Sequence, residues 1–211
     1  MTETIAYFTQ LPYWELTAVV SALIYVVLAA KENIWCWPAA LVSTVIYTVI
    51  FYDVYLWMDS LLQVYYFGMA IYGWYCWQYI NKRPQQVLHI QTWPLTFHVK
   101  AIVLLTIISI SLGWLMANFT PADFPYIDAA TTVFSVFTTY LVAKKVLENW
   151  LYWIVINAVS VYLYIEKDLE PTAALLVLYF FMALYGYLQW LAKFKQRKRN
   201  EVITETSATQ S

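Results

Sequence analysis

Long apolar runs alternate along the chain with short polar clusters. Runs at 14–30, 37–51, 60–79, 99–117, 127–143, 150–165 and 171–192 each predict a helix. A helix needs about 20 apolar residues to cross a bilayer, so the chain has room for about seven crossings. The stretch 81–91 is polar and holds Lys82, Arg83 and Pro84, and 118–126 holds Pro121 and Pro125; both read as loops. Pro38 falls in the first turn of the second run, where its missing N–H costs no helical bond. Several runs span only 15 to 17 residues, which requires local bilayer thinning or aromatic ends reaching into the headgroups. After 192 the sequence KFKQRKRN is basic, and EVITETSATQS reads as disordered.

Composition places these helices in lipid. Of 211 residues, 62% are hydrophobic and 12% charged, about half the charged share of a soluble domain. The 11 Trp, 19 Tyr and 11 Phe exceed what interfacial belts require. A net charge of −1 gives no bulk attraction to nucleic acid. The N-terminus lacks a basic region and a small-residue cleavage site, so no removable signal peptide is read there. Cys36 and Cys76 fall at the same membrane end and form no metal framework. No nucleophile–base pair, metal spacing or phosphate loop is present, so neither an enzyme nor a cofactor is expected.

Lysine and arginine set the orientation. With seven crossings, Lys31, Lys82, Arg83, Lys100, Lys144, Lys145 and five basic tail residues share one side, and Lys167 stands alone on the other. This bias puts the N-terminus outside and the C-terminus in the cytoplasm. Asp53, Asp59, Asp123, Glu166, Asp168 and Glu170 fall in the outer loops.

The chain also repeats itself at an offset of 113 residues. AIYGWYCW (70–77) lies over ALYGYLQW (183–190), and Leu28, Ala30 and Lys31 match Leu141, Ala143 and Lys144. Trp37 falls on Trp150, Leu56 on Leu169, Tyr66 on Tyr179, Phe67 on Phe180 and Met69 on Met182, while acid meets acid at Glu15/Asp128 and Asp53/Glu166. Each repeat holds three crossings. Both share one orientation, so a fourth helix must intervene. The expected fold is an all-α membrane protein of seven transmembrane helices in a 3+1+3 arrangement with two parallel three-helix repeats. Its parts are an extracytoplasmic segment (1–13), repeat 1 (14–79), a cytoplasmic linker (80–98), a connecting helix (99–117), repeat 2 (127–192) and a basic cytoplasmic tail (193–211). Parallel repeats of this kind belong to transporters, whose substrate sites lie near midplane between the halves.

Polar groups at membrane depth are costly and tend to be functional. On the sixth run, Trp150, Trp153 and Asn157 stand at i, i+3 and i+7, on one face. The Asn157 amide both donates and accepts, which suits a carboxamide or a sugar hydroxyl, and Trp153 can stack on a flat ring. Interhelical hydrogen bonding and belt anchoring are the plain alternatives, the latter most readily for Trp150 at its helix end. On the third run, Gln63, Tyr66, Ala70, Gly73 and Trp77 share a face, matched on the seventh by Leu176, Tyr179, Ala183, Gly186 and Trp190. The shared small residues read as packing positions. The unshared ones do not: Gln63 faces Leu176, Asn157 faces Thr44 and Trp153 faces Ala40. That inequality suits an asymmetric ligand. Asn33, Trp35, Trp37, Glu148 and Asn149, at the cytoplasmic ends, could gate the site, border it, or simply cap helices and anchor the interface. His89 and His98 read as solvated or interfacial.

KENIWCWP with DSLLQVYYFGMAIYGWYCW, and ENWLYWIVIN with ALYGYLQW, resemble the PnuC family of vitamin transporters over about 14–192. The resemblance implies nicotinamide riboside uptake across a bacterial inner membrane by facilitated diffusion, with trapping by cytoplasmic phosphorylation. It also implies a homotrimer of 3+1+3 protomers. Through the family's Q-x-x-Y and W-x-x-W-x-x-x-N motifs it marks Gln63, Tyr66, Trp150, Trp153 and Asn157 as substrate-binding; Tyr179, the repeat counterpart of Tyr66, is a candidate for the gate or the site's periphery. Relatives often carry an acid at the Asn157 position, so this departure bears on substrate choice. Thiamine or another vitamin on the same scaffold, and a non-transporting membrane sensor, remain alternatives. The implied partners are the small vitamin, the lipid bilayer and further copies of the chain.

Overall fold

A computed structural model describes residues 12–53, 57–79, 88–120, 124–167 and 170–209. Lys82, Arg83, Pro84, Pro121, Asp123, Asp168 and the Leu56/Leu169 pair lie outside the described residues. Seven helices follow in order: α1 (Tyr13–Ala30), α2 (Cys36–Asp53), α3 (Trp57–Tyr79), α4 (Leu95–Phe119), α5 (Pro125–Ala143), α6 (Asn149–Glu166) and α7 (Glu170–Thr209). Proline opens several of them: Pro12 and Pro94 precede α1 and α4, and Pro125 begins α5, where a fixed φ and a missing N–H fit the first turn.

Five helices, α1, α2, α4, α5 and the first part of α7, are long and apolar enough to cross a membrane by length and composition. The other two, α3 and α6, carry the polar and aromatic residues singled out above, Gln63 and Tyr66 on one and Trp150, Trp153 and Asn157 on the other. The expected disordered tail is instead helical: α7 continues past Ala192 to Thr209. Lys, Arg, Gln and Glu are good helix formers, and Arg197 pairs with Glu201 one turn on at 3.2 Å.

Within the chain, α1 packs on α2 and α2 on α3, while α5 packs on α6 and α6 on α7. Two contacts cross between these groups, α1 with α7 and α3 with α5, and α4 packs on α5. Tryptophan donors tie both crossings. Trp190 Nε1 donates to the Ala29 carbonyl at 3.0 Å, and Trp77 Nε1 to the Ala143 carbonyl at 3.2 Å.

The corners after α1 and α5 have the same build. Glu32 N–H donates to Ala29 O and Asn33 N–H to Leu28 O; 113 residues on, Lys145 N–H donates to Val142 O and Val146 N–H to Leu141 O. This double closure is the Schellman motif, which satisfies the last carbonyls of a helix with one left-handed residue. Glu32 (φ 57°) and Lys145 (φ 53°) take that conformation without being glycine, at a strain of about 1 kcal/mol or more each. They face one another: Lys145 Nζ donates to Glu32 Oε1 at 2.9 Å, and Lys193 Nζ to Glu32 Oε2 at 3.0 Å. The second corner is braced from outside by Gln91. Its N–H donates to Lys145 O and its carbonyl accepts from Leu147 N–H, while its Nε2 donates to Lys144 O.

Burial alone would raise the Glu32 carboxyl, but the charge and hydrogen bond of Lys145, with those of Lys193, hold it below the ordinary carboxylate range. The stabilisation it gives is complete above that ordinary range and is lost as pH falls through the lower, folded value. Glu32→Gln strands the Lys145 ammonium, which is only 7% exposed. The expected cost is about 3 kcal/mol, read as a lower melting temperature in detergent. The gap to the unsubstituted protein should close on acidification; an unchanged melting temperature at neutral pH would show that the pair contributes nothing.

Candidate functional site

A cavity of about 440 Å³ lies among α1, α2, α3, α5, α6 and α7. Such a volume fits a small organic ligand. Its described lining includes nine pairs of residues 113 apart, among them Trp37/Trp150, Ala40/Trp153, Thr44/Asn157, Gln63/Leu176, Tyr66/Tyr179 and Ala70/Ala183. The two sides are alike in outline and unlike in chemistry: Trp153 and Asn157 belong to α6, and Gln63 to α3.

One end is closed by four tryptophans. Trp37 meets Trp77 edge-on at 5.3 Å between centroids, and Trp150 meets Trp190 edge-on at 5.5 Å. Trp77 and Trp190 approach each other at 6.4 Å. Two glycines admit the inner pair. A Cβ on Gly186 would sit 2.6 Å from the Trp150 ring, and one on Gly73 would overlap Trp37. Trp37 and Trp150 are thus held close against a neighbouring helix and almost fully buried. Trp150 is not an interfacial belt residue. The indole Nε1 of each has no hydrogen-bond partner among the described residues, although both rings line the cavity.

The five residues expected to bind, Gln63, Tyr66, Trp150, Trp153 and Asn157, all line this cavity, as do Trp37 and Tyr179. Asn157 is 7% exposed. Neither its amide nor that of Gln63 has a partner among the described residues. An amide held at membrane depth without a partner is costly, so the site presents unused donors and acceptors beside aromatic faces. Ser43 and Thr44 border it too, but Thr44 spends its hydroxyl on the Ala40 and Leu41 carbonyls of its own helix.

The other candidates lie elsewhere. Asn33 Oδ1 accepts from Trp35 N–H, closing a local turn, and Trp35 is exposed with its ring edge-on to Trp74. Asn149 is fully buried and its amide donates to Val146 O, a bond within the corner between α5 and α6. Glu148 turns to the opposite side of α6, where Trp93 N–H donates to it at 3.4 Å and His98 Nε2 stands 3.7 Å away. His98 is therefore not solvated: it is 7% exposed, with Nδ1 3.1 Å from the Tyr152 hydroxyl, because α4 begins earlier than the apolar run suggested. Both cysteines are buried and free.

Tyr25, Tyr47, Phe51, Thr139 and Tyr164 line the cavity without having stood out in sequence. A usable signal exists for Tyr25. On α1 the alanines at 18, 22 and 29 mark an inward stripe, and Tyr25 follows Ala22 by about one turn.

An all-helical membrane protein with an aromatic-walled, amide-bearing cavity between helices has the form of a small-molecule transporter. The chain belongs to the family described as nicotinamide mononucleotide transporter, which matches residues 12–192. It is 26% identical over 214 residues to the nicotinamide riboside transporter PnuC of Escherichia coli, covering 89% of this chain and 88% of that one. It is 22% identical over 201 residues to the riboflavin/roseoflavin transporter RibM of Streptomyces davaonensis, covering 93% of each. A crystal structure of the vitamin B3 transporter PnuC shares the fold, with a TM-score of 0.72 at 20% identity over 92% of this chain and 88% of that one. These relatives are transporters, and this chain is a membrane transporter rather than an enzyme.

Gly186→Ala forces the Trp150 indole off its seat. Overpacking of this kind costs about 1–3 kcal/mol. A melting temperature within error of the parent would show that the indole has room to move aside.

Proposed function

We propose that this transporter carries nicotinamide riboside, by facilitated diffusion, with trapping by phosphorylation in the cytoplasm. The observation that carries the reading is the presence of unpartnered amides at Gln63 and Asn157 beside the indoles of Trp150 and Trp153 in one cavity. Nicotinamide riboside is a flat cation bearing a carboxamide and ribose hydroxyls. Aromatic faces attract the cation, and amides answer the carboxamide and hydroxyls. Gln63, Tyr66, Trp150, Trp153 and Asn157 bind; Trp37 and Tyr179 complete the wall.

The same reading includes a 3+1+3 protomer with two parallel repeats about an axis along the membrane normal. The recurrence of the left-handed corners at 32 and 145 and of the Trp–Gly seats at 37/73 and 150/186 supports it. The protomer sits in a bacterial inner membrane with its N-terminus outside, as the lysine and arginine bias favours, and assembles as a homotrimer, as the family resemblance implies. Riboflavin is the second reading, favoured by the similarity to RibM.

Titration of the purified protein with nicotinamide riboside, thiamine and riboflavin, followed by tryptophan fluorescence, tests the substrate. Nicotinamide riboside should bind at least tenfold tighter than the other two; tighter riboflavin binding selects the second reading. Asn157→Leu and Trp153→Ala should each weaken binding at least tenfold, about 1.4 kcal/mol, while the protein elutes as the parent does. Unchanged affinity in both removes the site. Binding without uptake into proteoliposomes would make the protein a sensor.

A further inference from the structure

The geometry points to a second binding site, for a membrane phospholipid with an amine headgroup, in the groove between α4 and α6. Both helices pack on α5, and the groove between them encloses about 530 Å³ on the far side of α6 from the central cavity. Its walls are apolar along Ile102, Phe134, Val155 and Val159, while one end holds His98 and Glu148. From Glu148 to Val159 the wall runs eleven residues of helix, about 16 Å at 1.5 Å per residue. One polar end and a long apolar trough match a molecule with a headgroup and a chain.

The polar end has unused capacity. His98 is 9% exposed at its side chain, and its Nε2 has no hydrogen-bond partner among the described residues. Glu148 Oε2, at 3.7 Å, is too far from it for a hydrogen bond. Trp93 N–H holds the Glu148 carboxylate toward the groove, and among the described residues His98 is the ionisable group paired with it. A carboxylate at the membrane boundary without lysine or arginine favours an ammonium and repels an added anion. The His98 ring nitrogen can meet a phosphate oxygen. Phosphatidylethanolamine supplies both groups on adjacent positions of one headgroup, whereas phosphatidylglycerol brings the phosphate without the cation. The site lies at the helix ends shared with Lys144 and Lys145, the side that the charge bias assigns to the cytoplasmic leaflet.

Native mass spectrometry of the detergent-purified chain with dioleoylphosphatidylethanolamine or dioleoylphosphatidylglycerol tests the assignment. The ethanolamine lipid should be retained at least tenfold better. Glu148→Gln should abolish that preference, and Val155→Trp, which fills the trough, should reduce retention at least tenfold. Equal retention of the two lipids, or retention unmoved in both variants, overturns the site. A measurement free of the folding of those variants is photo-crosslinking in whole membranes from a benzoylphenylalanine placed at Ile102. Capture of phosphatidylethanolamine is the expected result; capture of a second copy of this chain, of phosphatidylglycerol, or of no lipid overturns it.

Discussion

The corner pair of Glu32 and Lys145 is the contact on which the tryptophan-lined end of the molecule depends. Each residue sits in a left-handed turn that ends a helix, and each needs that turn to point its charge at the other. Replacing a buried ion pair with a packed apolar isostere is often neutral, so the net stability from this one is small. What it contributes is registration: it matches the end of α1 to the end of α5 at a single spacing. The indoles of Trp190 and Trp77 then reach the carbonyls of Ala29 and Ala143, one turn away from the pair. With those ends matched, Trp37 and Trp150 fall opposite Gly73 and Gly186, and the floor of the cavity is complete.

Above that floor the two sides diverge. Ala40 stands where the other side has Trp153, and Thr44 where it has Asn157. The backbone frame needs likeness, because tryptophan seats and helix ends tolerate little change in volume. The cavity wall faces no such demand, so a polar group at one position need not recur at its counterpart 113 residues away. An aromatic and an amide from α6 and an amide from α3 thus line one cavity without like partners at the paired positions.

Much of this was legible in the sequence. The offset of 113 identified Gly73, Gly186, Trp77 and Trp190 as matched positions, and helical spacing put Trp150, Trp153 and Asn157 on one face. The direction in which helix ends turn was not legible. Glu148 and Asn149 are neighbours at the start of α6, yet one faces the α4 groove and the other is spent on Val146. A single residue, about 100° of rotation at 3.6 residues per turn, separates those outcomes, and periodicity carries no origin at a helix end. Of the two readings of His98, the solvated one fails for the same reason: the apolar run starts at Val99, while the helix starts at Leu95 and carries the imidazole inward. The tail was misread because composition reports the absence of an apolar face, whereas a helix already nucleated by the membrane span needs only propensity to continue.

The two helices that fall short as apolar spans carry the expected binding residues, and this follows from the energetics of the bilayer. A site for a polar ligand must hold amides and indoles at depth, and each lowers the affinity of its helix for lipid. Such a helix is tenable only if neighbours cover its polar face. α3 is flanked by α2 and α5, and α6 by α5 and α7, so each lies between two partners. α4, which contributes no residue to the central cavity, is the most apolar of the candidate spans and packs on α5. That cover is available to every helix of the bundle except α4, and α3 and α6 are the two that use it to carry amides. At α3 and α6 the weak hydropathy signal comes from the amides and indoles that line the cavity, and it is no argument against a span.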